Sequence, residues 1–381
     1  MIDTITLSIP VTKMDIGNLE QFSPSAMNVF TTDRGYRFYT RNPSEIERKR
    51  GIYVPIYTLY RRYRNELDIS LNIQFSIPKL LYKNNFQEVC EYDFESIIDE
   101  LELKLKMHQF HIARGRLIDS KVVAIHFSKN ILLSDGLNCS MVLNQLKKAL
   151  DTNLKQDFSE NQFKNGGQII HIHNKDSEFA IYDKVRELQQ AKTSKEKSVD
   201  KQVYTQLNLL DELLNNNYLR LEFRMTGQKA IKRKIQSYAP EYSKIPLTFK
   251  ELFSRKLSQA MLSSFWNKEI KEKYVSITWK PEDFYEKMIS IKNLNPQLSE
   301  RQLINSSFMQ GIISTRGIQA LRSTMGWYGK ESYKWSNYKK LLMNLKVEDN
   351  RVYIINDIDT QLQEFRLFRE IPKELKQLTN I

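Results

Sequence analysis

The chain has 381 residues, of which 41% are hydrophobic, 11% aromatic and 27% charged; this excludes a disordered tail or a disulfide-stapled miniprotein and allows a sizeable buried core. Lys and Arg number 58 against 45 Asp and Glu, and the resulting net charge of +13 favours a polyanionic partner over a small neutral substrate. Cys90 and Cys139 lack CxxC spacing, so a thiolate zinc site and a secreted disulfide framework find no support.

The opening MIDTITLSIP has no basic region ahead of an apolar one, and no run approaches the roughly 18 apolar residues that span a bilayer. The expectation is a cytoplasmic protein with no membrane partner. The 12 glycines build neither GxGxxG nor GxxxxGK[ST], so any phosphate chemistry is expected to use side chains.

Ile5, Leu7 and Ile9 alternate with Thr4, Thr6 and Ser8, the period-2 pattern of a half-buried strand closed by Pro10. Tyr36–Thr40 and Gly51–Tyr57 continue strand-like, and Leu67–Ile77 alternates again before Pro78. Asp93 is placed as N-cap of a helix whose stripe is Phe94, Ile97, Ile98, Leu101 and Leu105. Lys121–Phe127 reads as a central strand and Met141–Leu150 as a helix. Gln168–His173 and Glu178–Lys184 flank a turn-forming Asn174–Ser177 and predict a hairpin. A polar excursion is expected over Gln189–Gln202, then a strand at Tyr218–Met225, then predominantly helical text.

These elements predict an α+β fold: a mainly antiparallel sheet with helices packed on one face, followed by a smaller helical C-terminal domain. The expected division is 1–255 and 256–381, with the boundary as late as 295, where Pro296 breaks the helical pattern and Ser299 can cap a new helix.

Alternation at Tyr218–Met225 puts Arg220, Glu222 and Arg224 on one face, a carboxylate between two guanidiniums that reads as a metal-, phosphate- or DNA-binding face or as plain surface ion pairs. Tyr182 and Lys184 share a face, and a cation that favours phenolate makes Tyr182 a candidate nucleophile with Lys184 as its catalytic partner. Pairing residue 173 with 178 sets His171 and His173 on the side of Tyr182; with His126 and Glu222 they are the candidate ligands of a divalent metal. Structural tyrosine and histidine roles are the plain alternatives. Lys229, Lys232, Arg233 and Lys234 follow immediately and can track a DNA backbone. Near the C-terminus, Arg316, Arg322, Lys330, Lys334, Lys339 and Lys340 interleave with Trp327, Tyr328, Tyr333, Trp335 and Tyr338, a pattern suited to single-stranded nucleic acid and equally to aromatic packing.

Four stretches carry a family resemblance: Met1–Pro10, Ile73–Leu81 with Asn84-Asn85, Tyr182–Glu187 and Leu219–Arg224. In their order and spacing, and more loosely over Gln319–Leu342, the chain resembles the filamentous-phage gene II type replication proteins (the phage replication protein CRI family), which have relatives on plasmids. The resemblance implies a rolling-circle replication initiator, an endonuclease that nicks one strand of an origin, stays attached through a tyrosine matching Tyr182, and later rejoins the strand. It further implies Mg²⁺ or Mn²⁺ held by Glu222 and by a strand position occupied here by His126 in place of an acid, and host replication proteins that extend the 3′ end. The His171-Ile-His173 run is similar to the His-hydrophobic-His signature of such nickases but lies nearer the tyrosine. A non-catalytic DNA-binding regulator and a plasmid mobilisation relaxase are the competing expectations.

Overall fold

In the computed structural model the described residues are 1–30, 37–63, 67–134, 137–149, 157–162, 168–191, 217–273, 284–347 and 352–368. Eleven strands occur among them: β1 (Ile2–Pro10), β2 (Met14–Ile16), β3 (Phe38–Arg41), β4 (Ile56–Tyr63), β5 (Leu67–Ser76), β6 (Phe110–Ile112), β7 (Lys121–Leu132), β8 (Asp157–Gln162), β9 (Gln168–Asn174), β10 (Ser177–Asp183) and β11 (Tyr218–Thr226). Nine build one sheet in the order β3-β4-β5-β1-β7-β11-β10-β9-β8, and every neighbouring pair is antiparallel. The other two, β2 and β6, form a small ladder of their own. The α+β architecture is therefore as expected, with a mainly antiparallel sheet and a helical C-terminal region.

Alternation decides which face is covered. Ile5, Leu7 and Ile9 of β1, Leu71, Ile73 and Phe75 of β5, and Val122, Ile125 and Phe127 of β7 join one core beneath helices. The helix Phe94–Met107 buries Ile97, Ile98, Leu101 and Leu105, the stripe read from spacing. The helix Gln228–Tyr238 adds Ile231 and Ile235, and Arg255–Phe265 adds Leu257, Met261, Leu262 and Phe265. Phe265 stacks on Phe179 of β10 at 4.1 Å and meets Phe223 of β11 at a tilt, with centroids 4.8 Å apart. Ile358, Leu362 and Phe365 belong to the same core, whereas Met309, Ile313, Ile318, Leu321, Trp327, Trp335 and Leu342 gather around Ala149 in a second, smaller cluster.

Local differences from the sequence reading have identifiable causes. β4 starts at Ile56 and runs on to Tyr63, past the expected end at Tyr57; Arg61, 8% exposed, takes an inward position that hides the alternation. Asp93 does not cap the helix it precedes, because its carboxylate accepts from the Cys90 amide at 2.7 Å and closes the preceding turn. β10 ends at Asp183, whose Oδ1 accepts from the Arg186 amide at 2.9 Å and starts the helix Lys184–Ala191, so Lys184 stands on a helix and not on a strand. Ser299 caps Glu300–Arg316 in a capping box with Gln302, as the sequence led one to expect. The expected polar excursion lies, from residue 192 on, outside the described residues.

Candidate functional site

The face away from the main core carries the polar chemistry. Its middle is a groove of about 860 Å³ lined by Thr4, Thr6 and Ser8 of β1, Asp68, Ser70, Asn72 and Gln74 of β5, Tyr60 and Arg62 of β4, Lys121 and His126 of β7, and Gln228 and Lys229. Threonine, serine and amide side chains at alternate positions keep this face wet.

Beyond His126 the face closes into an interior polar network. Register places Arg224 between His126 and Glu178, and Glu222 between Ser128 and Ala180, so the side chains meet across β7, β11 and β10. Glu222, 3% exposed, accepts at Oε1 from the Tyr182 hydroxyl at 2.7 Å and from Arg220 Nε at 2.8 Å. Its Oε2 accepts from Arg224 Nε at 2.7 Å and Nη2 at 2.5 Å. Arg220 uses the rest of its donors on Asn85 O, Asn130 Oδ1, Asp3 Oδ1 and Ser128 Oγ at 2.7–3.2 Å. Arg224 reaches Glu178 at 3.0 Å, and Glu178 meets His171 Nδ1 at 2.5 Å.

The charges shift one another accordingly. Burial opposes ionisation of Glu222, but Arg224 and Arg220 outweigh it and hold the carboxyl far below the ordinary range. Tyr182 moves the other way: burial, then the Glu222 charge, pushes its phenol well above its usual value. Lys184 is fully buried, which lowers its ammonium; it pairs with Glu187 at 3.0 Å and its Nζ lies 5.9 Å from the Tyr182 ring centroid.

The expected residues therefore divide. Tyr182, Lys184 and Glu222 come together, as do Arg220 and Arg224, and the 173-to-178 pairing is observed. No histidine bonds to Glu222: His171 binds Glu178, His173 sits opposite Glu178, and half-buried His126 sits opposite Arg224, near enough to Glu222 for their charges to act on one another, with burial lowering its basicity. Among the described residues no group of three His, Cys, Asp or Glu is placed to hold a metal ion. The donor set also does not fit a divalent cation as arranged, since the Glu222 oxygens already accept from a phenol and two guanidiniums and two fixed positive charges face the same space.

Of the residues read as DNA contacts, Arg220 is buried and fully engaged, Arg224 is half-buried in ion pairs, and Lys229 is exposed in the groove. Lys232 is exposed, Arg233 pairs with Asp176, and Lys234 lies 5.7 Å from the Tyr238 ring centroid. In the C-terminal basic and aromatic stretch, Trp327 stacks on Trp335 and Tyr338 and Arg322 packs on Tyr328 and Trp335, so packing accounts for Trp327, Trp335 and Tyr338, while Tyr333 is exposed.

Sequence reading missed one exposed cluster. At the β3–β4 edge, Phe38 stacks on Tyr60 at 5.0 Å, and the Tyr60 hydroxyl accepts from Arg37 Nη2 at 2.6 Å and Arg62 Nη2 at 3.3 Å. The available signal was Thr58, Tyr60 and Arg62 alternating with Tyr57 and Leu59. No family model matches the chain, and no curated protein or solved structure matches it. Among the described residues no helix is long and apolar enough to cross a membrane.

Proposed function

We propose that this protein is a rolling-circle DNA replication initiator that works in the bacterial cytoplasm, holds DNA across the open sheet face and nicks one strand through Tyr182. The observation that carries this reading is the Tyr182 hydroxyl on the Glu222 carboxylate at 2.7 Å, beside the Lys184 ammonium and next to a polar groove on a chain of net charge +13. The resemblance of Tyr182–Glu187 and Leu219–Arg224 to the phage replication proteins points the same way.

In the reaction, the Tyr182 oxygen bonds to the scissile phosphorus, its proton passes to Glu222, and the 3′ oxygen leaves, takes a proton from solvent and is free to be extended by host replication proteins. Two proton affinities oppose this before DNA binds: that of the phenol is raised and that of the carboxylate is lowered. A backbone phosphate arriving at Arg224 competes for that guanidinium, and loss of the Arg224 contact raises the proton affinity of Glu222 where it is needed. Attack by the 3′ hydroxyl on the phosphotyrosine reverses the step and reseals the strand with no nucleotide consumed.

A second reading, a non-catalytic DNA-binding regulator, is favoured by the burial of Tyr182 behind a saturated network. A nicking assay on supercoiled plasmid carrying the native origin, supplemented with Mg²⁺ or Mn²⁺, separates the two. The initiator yields open circles and a covalent protein–DNA adduct, both abolished in Tyr182→Phe. Binding without either product leaves the regulator; a relaxase differs in the DNA site it cuts.

A further inference from the structure

The cluster at the β3–β4 edge is built from register. Phe38 and Tyr60 are direct cross-strand partners, so their rings lie face to face at 22°. Arg62, two residues along β4, falls on the same face and lies 5.2 Å from the Tyr60 ring centroid. Arg37 lies 5.7 Å from the Phe38 centroid and 5.2 Å from that of Tyr60. The outer face is open, with Phe38 52% exposed.

Two guanidiniums here donate to a neutral phenol, which offsets neither charge. Asp68 stands opposite Arg62 across the ladder, so the cluster keeps a net charge of about one. The same two donors hold the Tyr60 phenol below its ordinary value, the opposite of Tyr182. Tyr60, Arg62, Asp68 and Ser70 also form one wall of the 860 Å³ groove, and Lys121 and Lys229 line it elsewhere. Four strands, β4, β5, β1 and β7, make its floor, a width of about 14 Å at the usual strand spacing.

We propose that Phe38, Tyr60, Arg37 and Arg62 form a docking platform for an unpaired nucleotide of single-stranded DNA, with one base on the open face of Phe38 and its phosphate held by the two guanidiniums. The strand then runs along the groove toward Lys121 and Lys229. An exposed ring offers a π-face to any base, and the flanking cations match a phosphate one bond chain away. In duplex DNA that base face is already stacked on its neighbours, so the platform selects single strands. This inference rests on the reading of the protein as a DNA-binding one.

The test compares anisotropy titrations of a labelled oligothymidylate and of a duplex. Wild type is expected to bind both. Phe38→Ala removes an exposed ring from an edge strand, which the fold tolerates, and should weaken single-strand binding about tenfold while duplex binding stays within about twofold. Irradiating the complex with a 5-bromouracil oligonucleotide should crosslink the peptide that holds Phe38 or Tyr60. Equal single-strand affinity in Phe38→Ala, or an equal loss on both substrates, overturns the platform and leaves DNA binding standing. Failure of the wild type to bind either DNA overturns the underlying reading.

Discussion

Tyr182 and Tyr60 stand on one sheet face with opposite electrostatic surroundings, and the contrast separates what holds this fold from what it offers to a partner. Tyr182 is enclosed and donates to a carboxylate, so its proton is held; Tyr60 is at the rim and accepts from two guanidiniums, so its proton is loosened. The interior network closes on itself: Asp3, Arg220, Glu222, Arg224, Glu178 and His171 satisfy one another. The rim cluster has charge and ring surface left over.

The strongest way to break the comparison is Glu222→Gln. Removing the central carboxylate leaves buried Arg220 and Arg224 short of a counter-charge, and loss of one partner from such a set costs about 3–5 kcal/mol. Denaturant unfolding should show that loss, and a change below about 1 kcal/mol would mean that the network does not hold the sheet. Acid should reach the same network: Glu222 and Glu178 have folded carboxyls below their unfolded value of 4.5, so their contribution is intact above about pH 4.5 and declines as pH falls further.

A different group governs milder acid. Burial, then Arg41, lowers His108 to about 4 from 6.5, against the opposing pull of Glu47. Between those values the unfolded chain binds a proton that the folded one refuses, so stability falls as pH drops from 6.5 toward 4, by on the order of 2 kcal/mol once solvent screening reduces the roughly 3.4 kcal/mol of the full shift. His108→Asn should flatten that part of the pH profile and leave the part below 4.5 in place.

How much of this was legible follows from distance along the chain. Period-2 spacing placed Arg220, Glu222 and Arg224 on one face, and the short turn set residue 173 against 178, because both are local facts. Apart from Glu222, the partners that engage Arg220 are Asp3, Asn85, Ser128 and Asn130, which lie 90 to 217 residues away in sequence. No local pattern announces them, so a surface face and an interior network read alike. The Tyr60 cluster was hidden for the converse reason, an inward Arg61 that breaks the local alternation beyond Tyr57.

The two tyrosines sharpen the contrast by stability alone. Tyr182→Phe removes a hydrogen bond to a charged group, which costs about 1.5–3 kcal/mol in general and should fall at the low end because Glu222 keeps its guanidinium donors. Tyr60→Phe removes an acceptor at the rim, where water replaces it, and should change stability by less than about 0.5 kcal/mol. Matched thermal melts of the two variants test the pair, and equal shifts would erase the distinction between interior and rim.

The smallest effect tests the groove against the far side of one helix. Lys229 is exposed on the groove wall, whereas Arg233 pairs with Asp176 and Lys234 lies along Tyr238, although all three belong to Gln228–Tyr238. A lysine that neutralises a phosphate releases a counterion, and its loss lowers the slope of log affinity against log salt by about 0.7 on single strands and about 0.9 on duplex. Lys229→Ala should therefore shallow the slope by about that much, and Arg233→Ala by less, since Asp176 already offsets its charge. Anisotropy titrations across a salt series read the slopes directly. If Arg233→Ala has the larger effect, the DNA lies along the outer side of this helix and the groove across β1 and β5 is not its path.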